Sequence, residues 1–289
     1  MDINEIREEL GGIQGKDFNP DTAPIPTFAI SVEGLEGTGK THFGLMTCPV
    51  PIIHINFGDR NAEIFQYDMT KERRDKVDFY SFHAKTEKGW TRKEGKESLE
   101  NLAKLAKAYL EDSKMRGGTF IIDSGSSWWD VMQEVYVAPE EEKAIALAAS
   151  RGKEFRKSGG LIYGNANLIV SGILNWIKNQ GVYLILTHQK AQEWGPDGPI
   201  VGKYKPRINS KVPGIVEIRL NLTKVCAMCE GSECTNKAHL GRKHYGQILK
   251  LGHKTEKSKL FEGMTIENPT FDIIYKWYTG NEFPGKEGG

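Results

Sequence analysis

The residues with the clearest chemistry lie in EGLEGTGKTH, positions 33–42, where Gly34-x4-Gly39-Lys40-Thr41 satisfies the P-loop pattern. Glycines at 34, 37 and 39 let successive backbone N–H groups turn toward phosphate oxygens, and a helix starting at Lys40 adds partial positive charge. Lys40 would place a mobile ammonium by the β and γ phosphates, and Thr41 would ligate Mg²⁺ through its hydroxyl. Gly34, Gly37, Thr38, Gly39, Lys40, Thr41 and His42 therefore form a candidate ATP site.

A second acid belongs with such a loop. Asp123 ends the apolar run Thr119-Phe120-Ile121-Ile122, and an acid at the carboxyl end of a buried strand can reach the Mg²⁺ shell. Hydrolysis also needs a group to orient water. Asp59 is the candidate, with Glu63 behind it, on the expectation that the strand PIIHINF lies beside the P-loop strand; a solvated loop acid is the alternative for both. His188 and Gln189 end the run VYLILT, where an amide could sense the γ phosphate or simply cap the strand.

Two further clusters carry other chemistry. Between Lys190 and Lys211 stand five cations (Lys190, Lys203, Lys205, Arg207, Lys211) against two acids, a net of +3, with Trp194 and Tyr204 interleaved. Cations that follow a phosphate backbone and aromatics that stack bases are what a single-strand site needs; a solvated surface loop is the alternative. Cys226-x2-Cys229-x4-Cys234-x4-His239 has loops short enough to close a tetrahedron around Zn²⁺, with His244 competing for the fourth place and unligated thiols as the alternative. Cys226 to Lys259 has seven cations and three acids, a net of +4, so this tip either touches nucleic acid or holds a purely structural zinc.

The elements that position these residues read as alternating strands and helices. TFAISV, PIIHINF, DFYSFH, TFIID and VYLILT are strand-like, while 96–114 places Leu99, Leu102, Ala103, Ala106, Tyr109 and Leu110 on one helical face. Residues 126–150, broken near Pro139, and 161–180 also read as helices, so the order predicts an α/β fold with a mainly parallel sheet. Residues 190–213 read as a long loop, and IVEIRLNLTKV, YGQILKLG and FDIIYKW as C-terminal antiparallel strands around a zinc-binding hairpin insertion. The organisation expected is an N-terminal arm at 1–26, a core at 27–225, a zinc-knuckle-like insertion at 226–244, completing strands at 245–279 and a tail at 280–289.

Composition bounds the rest. At 289 residues and 38% hydrophobic the chain can bury one large core, and 39 Lys+Arg against 38 Asp+Glu leaves no overall field for nucleic acid or membranes. No apolar run approaches the ~18 residues of a membrane span. Three of four cysteines crowd into nine residues and no signal pattern opens the chain, so a cytosolic protein is expected.

The order EGLEGTGKTH, FIIDSGSSWW, a helix, then LILTHQ and a long loop resembles the ATPase core of RecA-type recombinases, and more closely the compact phage-encoded RecA-like ATPases, some of which act in single-strand annealing. The resemblance covers about 27–277. It implies a RecA-like sheet, ATP at subunit interfaces, filaments or rings, and single-stranded DNA as partner. By the same resemblance Asp59 stands near the family's catalytic Glu, Gln189 matches the Gln that couples ATP to the DNA loop, and Ser124 the hydroxyl residue after the metal-shell acid. Lys254 and Lys257, in LKLGHKTEKSK, match the cations through which one subunit reaches its neighbour's ATP. Hexameric helicases or packaging-type translocases, and a nucleotide-gated binding module without turnover, are the alternative functions for such a core.

Overall fold

The computed structural model describes residues 27–58, 60–84, 89–111, 115–155, 162–195, 198–228, 241–252 and 260–284, with backbone alone at 60–62. In chain order these form β1 (Ala29–Gly34), α1 (Lys40–His42, prolonged by a π turn Phe43–Thr47), β2 (Ile52–Phe57), a 3₁₀ segment Arg60–Tyr67, α2 (Lys71–Arg74), β3 (Val77–Phe82), α3 (Arg92–Leu110) and β4 (Thr119–Asp123). There follow α4 (Gly125–Met132, prolonged by a π turn Gln133–Val137), α5 (Ala138–Ser150), α6 (Gly164–Lys178), β5 (Tyr183–Gly195), β6 (Gly198–Pro206), α7 (Val212–Ile215), β7 (Ile218–Cys226), β8 (Arg242–Leu251), β9 (Thr265–Glu267) and α8 (Phe271–Thr279).

Strands β3-β2-β4-β5-β1-β7-β8-β9 form one sheet, parallel from β3 to β7 and antiparallel beyond, with β6 paired antiparallel to β5. The fold is thus mixed α/β around a mainly parallel sheet. Its central strands are buried on both faces, which is why they read as nearly unbroken apolar runs. Alternation sorts their side chains into two cores. Ile53, Ile55, Phe120, Ile122, Leu184 and Leu186 face α3, α4 and α6; Ile30, Val32, Ile121 and Ile185 face the π turn after α1 and α8. Each such side chain contributes about 1.5–3 kcal/mol on burial.

Helix α3 begins at a capping box, Thr91 with Glu94, and buries Leu99, Leu102, Ala106 and Leu110. Ala103, expected on that face, is exposed: it falls a turn-fraction off the stripe the other four define.

Three expectations about elements need correction. FDIIYKW is helix α8, not a strand. Its buried positions, Phe271, Ile274 and Tyr275, fall at i, i+3, i+4, and Gly280 ends the helix in the left-handed region at φ 79°. Residues 190–195 and 198–206 are not a loop but the two arms of a hairpin, β5 continuing past the sheet and pairing antiparallel with β6, with a register shift between Gln192 and Trp194. Pro-Asp-Gly at 196–198 is a turn signal in the sequence, and Pro199 and Gly202, which also suggest a loop, lie inside β6. Finally, β2 does not neighbour the P-loop strand: β1 lies between β5 and β7, and β2 between β3 and β4.

The N-terminal arm expected at 1–26 lies outside the described residues. No helix among the described residues is long and apolar enough to cross a membrane.

Candidate functional site

Strand β1 ends at Gly34, and the chain turns sharply into the loop that opens α1. A Cβ on Gly34 would lie 2.4 Å from Thr38 Oγ1 and 2.7 Å from the Leu222 carbonyl, so only glycine fits. Gly37 and Gly39 take φ values of 68° and 94°, the left-handed region in which L side chains are strained. Thr38 is buried and donates to the Leu35 carbonyl at 2.8 Å, closing the loop on itself. The Lys40 ammonium points into the loop, donating to the carbonyls of Leu35 at 2.7 Å and Gly34 at 3.1 Å. Burial lowers the Lys40 pKa and nearby Lys224 lowers it further, while Asp123 and Glu36 act the other way.

Asp123 completes the centre. Thr41 Oγ1 donates to its Oδ2 at 2.6 Å, the Thr187 hydroxyl donates to Oδ1, and His54 Nε2 lies 3.3 Å from Oδ2. Burial by itself would raise this carboxyl; His54, Thr187 and Thr41 together more than offset it and hold its pKa below the usual value. The carboxylate is therefore kept ionised next to a hydroxyl on α1. An ionised carboxylate and a threonine hydroxyl are a fitting donor pair for Mg²⁺, which takes one or two protein oxygens and fills its shell with phosphate and water. The peptide after Asp123 is cis, and Ser124 then caps α4, accepting from Ser127 N at 3.0 Å.

A cavity of about 730 Å³ joins these groups. Gly37, Thr38, Gly39, Lys40, Thr41, His42, Asp123 and Gln189 all line it, so residues from three separate stretches of sequence meet at one place, off the carboxyl ends of the parallel strands. His42 packs edge-on to Phe65, with ring centroids 6.2 Å apart, and burial lowers its pKa. Asn56 and Ser127 also face the cavity.

Gln189 sits opposite Gly34 in the parallel register of β1 and β5, beside the loop. Its N–H donates to Ser126 Oγ at 3.0 Å, its carbonyl accepts from Arg207 N at 2.8 Å, and Ser126 Oγ donates to the Arg207 carbonyl at 2.6 Å. One serine on α4 thus pins both roots of the β5–β6 hairpin. Arg207 also pairs with Asp130 of α4, at 2.5 Å and 2.7 Å. Beyond these roots Trp194 is 71% and Tyr204 40% exposed, and Lys203 and Lys205 are exposed with them. Lys190, nearer the sheet, is half-buried and its pKa is lowered by that burial; Lys211 is exposed at the start of α7.

Other expected residues fall elsewhere. Asp59, Cys229, Cys234, His239, Lys254 and Lys257 lie outside the described residues, although Gly58, next to Asp59, lines the cavity. Glu63 is exposed and accepts from Ser81 Oγ at 3.1 Å. Cys226 is buried at the end of β7, and its sulfur accepts from Met228 N at 3.4 Å. Among the described residues no group of three or more His, Cys, Asp or Glu could hold a metal. His244, the alternative zinc ligand, stands in the cavity wall with Nδ1 3.1 Å from the Thr38 carbonyl.

Four participants are not evident from the sequence. His54 and Thr187 are buried polar residues of largely apolar strand runs, and Asn56 faces Asp123 only through the β2–β4 register. Ser126 looks like one more small residue after the acid. A polar residue within an otherwise apolar run is the available signal for the first two.

No family model matches the chain, and no curated protein matches it.

Proposed function

We propose that this chain is a RecA-like P-loop ATPase that binds single-stranded DNA and promotes annealing or strand exchange, with ATP as the switch for grip and for assembly into filaments or rings. The observation that carries the reading is the continuity from the cavity to the hairpin: Gln189 lines the cavity, and its own backbone groups hold Ser126 and the hairpin root at Arg207.

The residues act in sequence. Backbone N–H groups from Gly37 to Thr41 and the Lys40 ammonium bind the phosphates of ATP. Thr41 and Asp123 would hold Mg²⁺, which neutralises charge on the β and γ oxygens. Asp59, following cavity-lining Gly58, orients water for attack on the γ phosphate, and Gln189 registers whether that phosphate is present. A shift at Gln189 passes through Ser126 and Arg207 into the hairpin, where Lys203 and Lys205 meet the DNA backbone and Trp194 and Tyr204 stack on bases. Lys254 and Lys257 are the cations offered to a neighbour's ATP.

ATP turnover and electron micrographs of the purified protein, each with and without single-stranded DNA, test this. Filaments or rings on DNA and DNA-stimulated turnover are expected. Lone particles with DNA-independent turnover would contradict it, and closed rings that displace strands processively would make the chain a helicase or translocase instead.

A further inference from the structure

Strand β7 outlasts its neighbour. Gly34, the last residue of β1, pairs with Leu222, after which β1 turns away into the glycine loop while β7 runs on to Cys226. Side chains alternate along β7, with Ile218, Leu220 and Leu222 buried on one face, so Lys224 is the next residue on that face. The two extra positions carry it past the end of β1 and over the loop. A Cβ on Gly37 would lie 2.7 Å from Lys224 Nζ, and the next nearest atom is Cε of the same lysine, at 3.9 Å. Lys224 is only half-buried, and no acid among the described residues pairs with it. The other cation on β7, Arg219, differs in just this respect: Glu33 holds it at 2.6 Å. Cross-strand from Lys224, His244 braces the same loop through the Thr38 carbonyl.

We infer that Lys224 is a second polyphosphate-binding cation of the nucleotide site, supplied by the same chain. This rests on the P-loop reading of that site. Lys40 reaches the phosphate chain from the start of α1, and Lys224 reaches it from the overhang of β7, beside cavity-lining Gly37. Lys224 stands near enough to Lys40 to lower its pKa. Charge-assisted contacts to phosphate are among the strongest single polar interactions, and a half-buried ammonium with no acid partner among the described residues is available to make one. Gly37 itself is dictated by its φ of 68°, and the flexible Lys224 ammonium lies over the space its missing side chain leaves.

Titrating the full chain with a fluorescent ATP analogue and Mg²⁺, at several salt concentrations, tests the inference. Lys224→Met keeps the alkyl stem and removes the charge; Lys224→Arg restores it; Lys40→Ala reports on the site as a whole. Lys224→Met is expected to weaken binding about tenfold or more and to flatten its salt dependence, while Lys224→Arg stays within about threefold of wild type. Thermal melting of each variant separates weakened binding from a damaged fold. If wild type binds, Lys40→Ala abolishes binding and Lys224→Met binds as wild type does, this inference fails and the P-loop reading survives. If wild type binds no nucleotide, both fail.

Discussion

Thr41 and Asp123, 82 residues apart in sequence, share a 2.6 Å hydrogen bond at the head of α1. That bond ties the loop strand β1 to β4 across the intervening strand β5, and it places an oxygen pair beside the Lys40 ammonium. Asp123→Asn keeps the shape and removes the charge. ATP turnover in saturating Mg²⁺ should fall about 10²–10³-fold, while nucleotide binding without metal changes little. Full turnover by the variant would remove Asp123 from the site.

His54 meets Asp123 and is not among the residues lining the cavity. Fully buried on β2, it orients the carboxylate at 3.3 Å. His54→Gln should therefore raise the Mg²⁺ concentration for half-maximal turnover by about 10–100-fold, with maximal turnover recovered at high metal. A loss that high Mg²⁺ does not recover would assign His54 another role.

Ser126 joins the cavity side of α4 to both roots of the hairpin. Ser126→Ala leaves the Gln189 N–H and the Arg207 carbonyl without that hydroxyl and should cost about 1–3 kcal/mol of stability. The more telling effect is on coupling. Nucleotide affinity should stay at the wild-type value while the difference in DNA affinity between the ATP and ADP states shrinks, as read by fluorescence anisotropy of a labelled oligonucleotide.

Lys203 and Lys205 project from β6 into solvent, so replacing both with Ala should change stability by no more than about 0.5 kcal/mol. Single-strand affinity should nevertheless drop, and the slope of log affinity against log salt should become shallower by about 1.4, or about 0.7 for each phosphate no longer neutralised. Trp194→Ala should cost about 1–3 kcal/mol of binding with the salt slope unchanged. Arg207 is a poorer probe, because its backbone and its pair with Asp130 also hold the hairpin root.

His188 gives a pH signature. Burial pushes its pKa from the ordinary 6.5 to about 3, so between those values the unfolded chain takes up a proton that the folded chain refuses. Stability is unaffected by this group above pH 6.5 and declines as pH falls below it, by up to about 1.4 kcal/mol per pH unit. Denaturant titrations from about pH 7 to about pH 4 should show that decline in wild type and a shallower one in His188→Leu. Parallel curves would mean that the imidazole is not held neutral.

Much of the site is legible in the sequence because its residues have to be what they are. Gly37 and Gly39 occupy conformations closed to other residues, and Lys40, Thr41 and Asp123 carry chemistry that few alternatives supply. Strands buried on both faces announce a parallel sheet. What a sequence does not convey is adjacency. That β5 and not β2 lies beside β1, that His54 meets Asp123, and that β7 overhangs β1 by the two residues that carry Lys224 over the loop all depend on strand order and register. Helix α8 resembles a strand in sequence because a short run with Ile273, Ile274 and Tyr275 in a row fits either element until its buried face is known. The hairpin is hidden because Pro199 and Gly202, which read as loop residues, lie inside β6.

The most direct test is to measure the affinity of the full chain for a labelled single-stranded oligonucleotide in Mg²⁺ with a non-hydrolysable ATP analogue, with ADP, and with no nucleotide. A nucleotide-switched grip predicts tighter binding with the ATP analogue than with ADP, in wild type but not in Lys40→Ala. Equal affinity in all three states, with nucleotide binding intact, would contradict it.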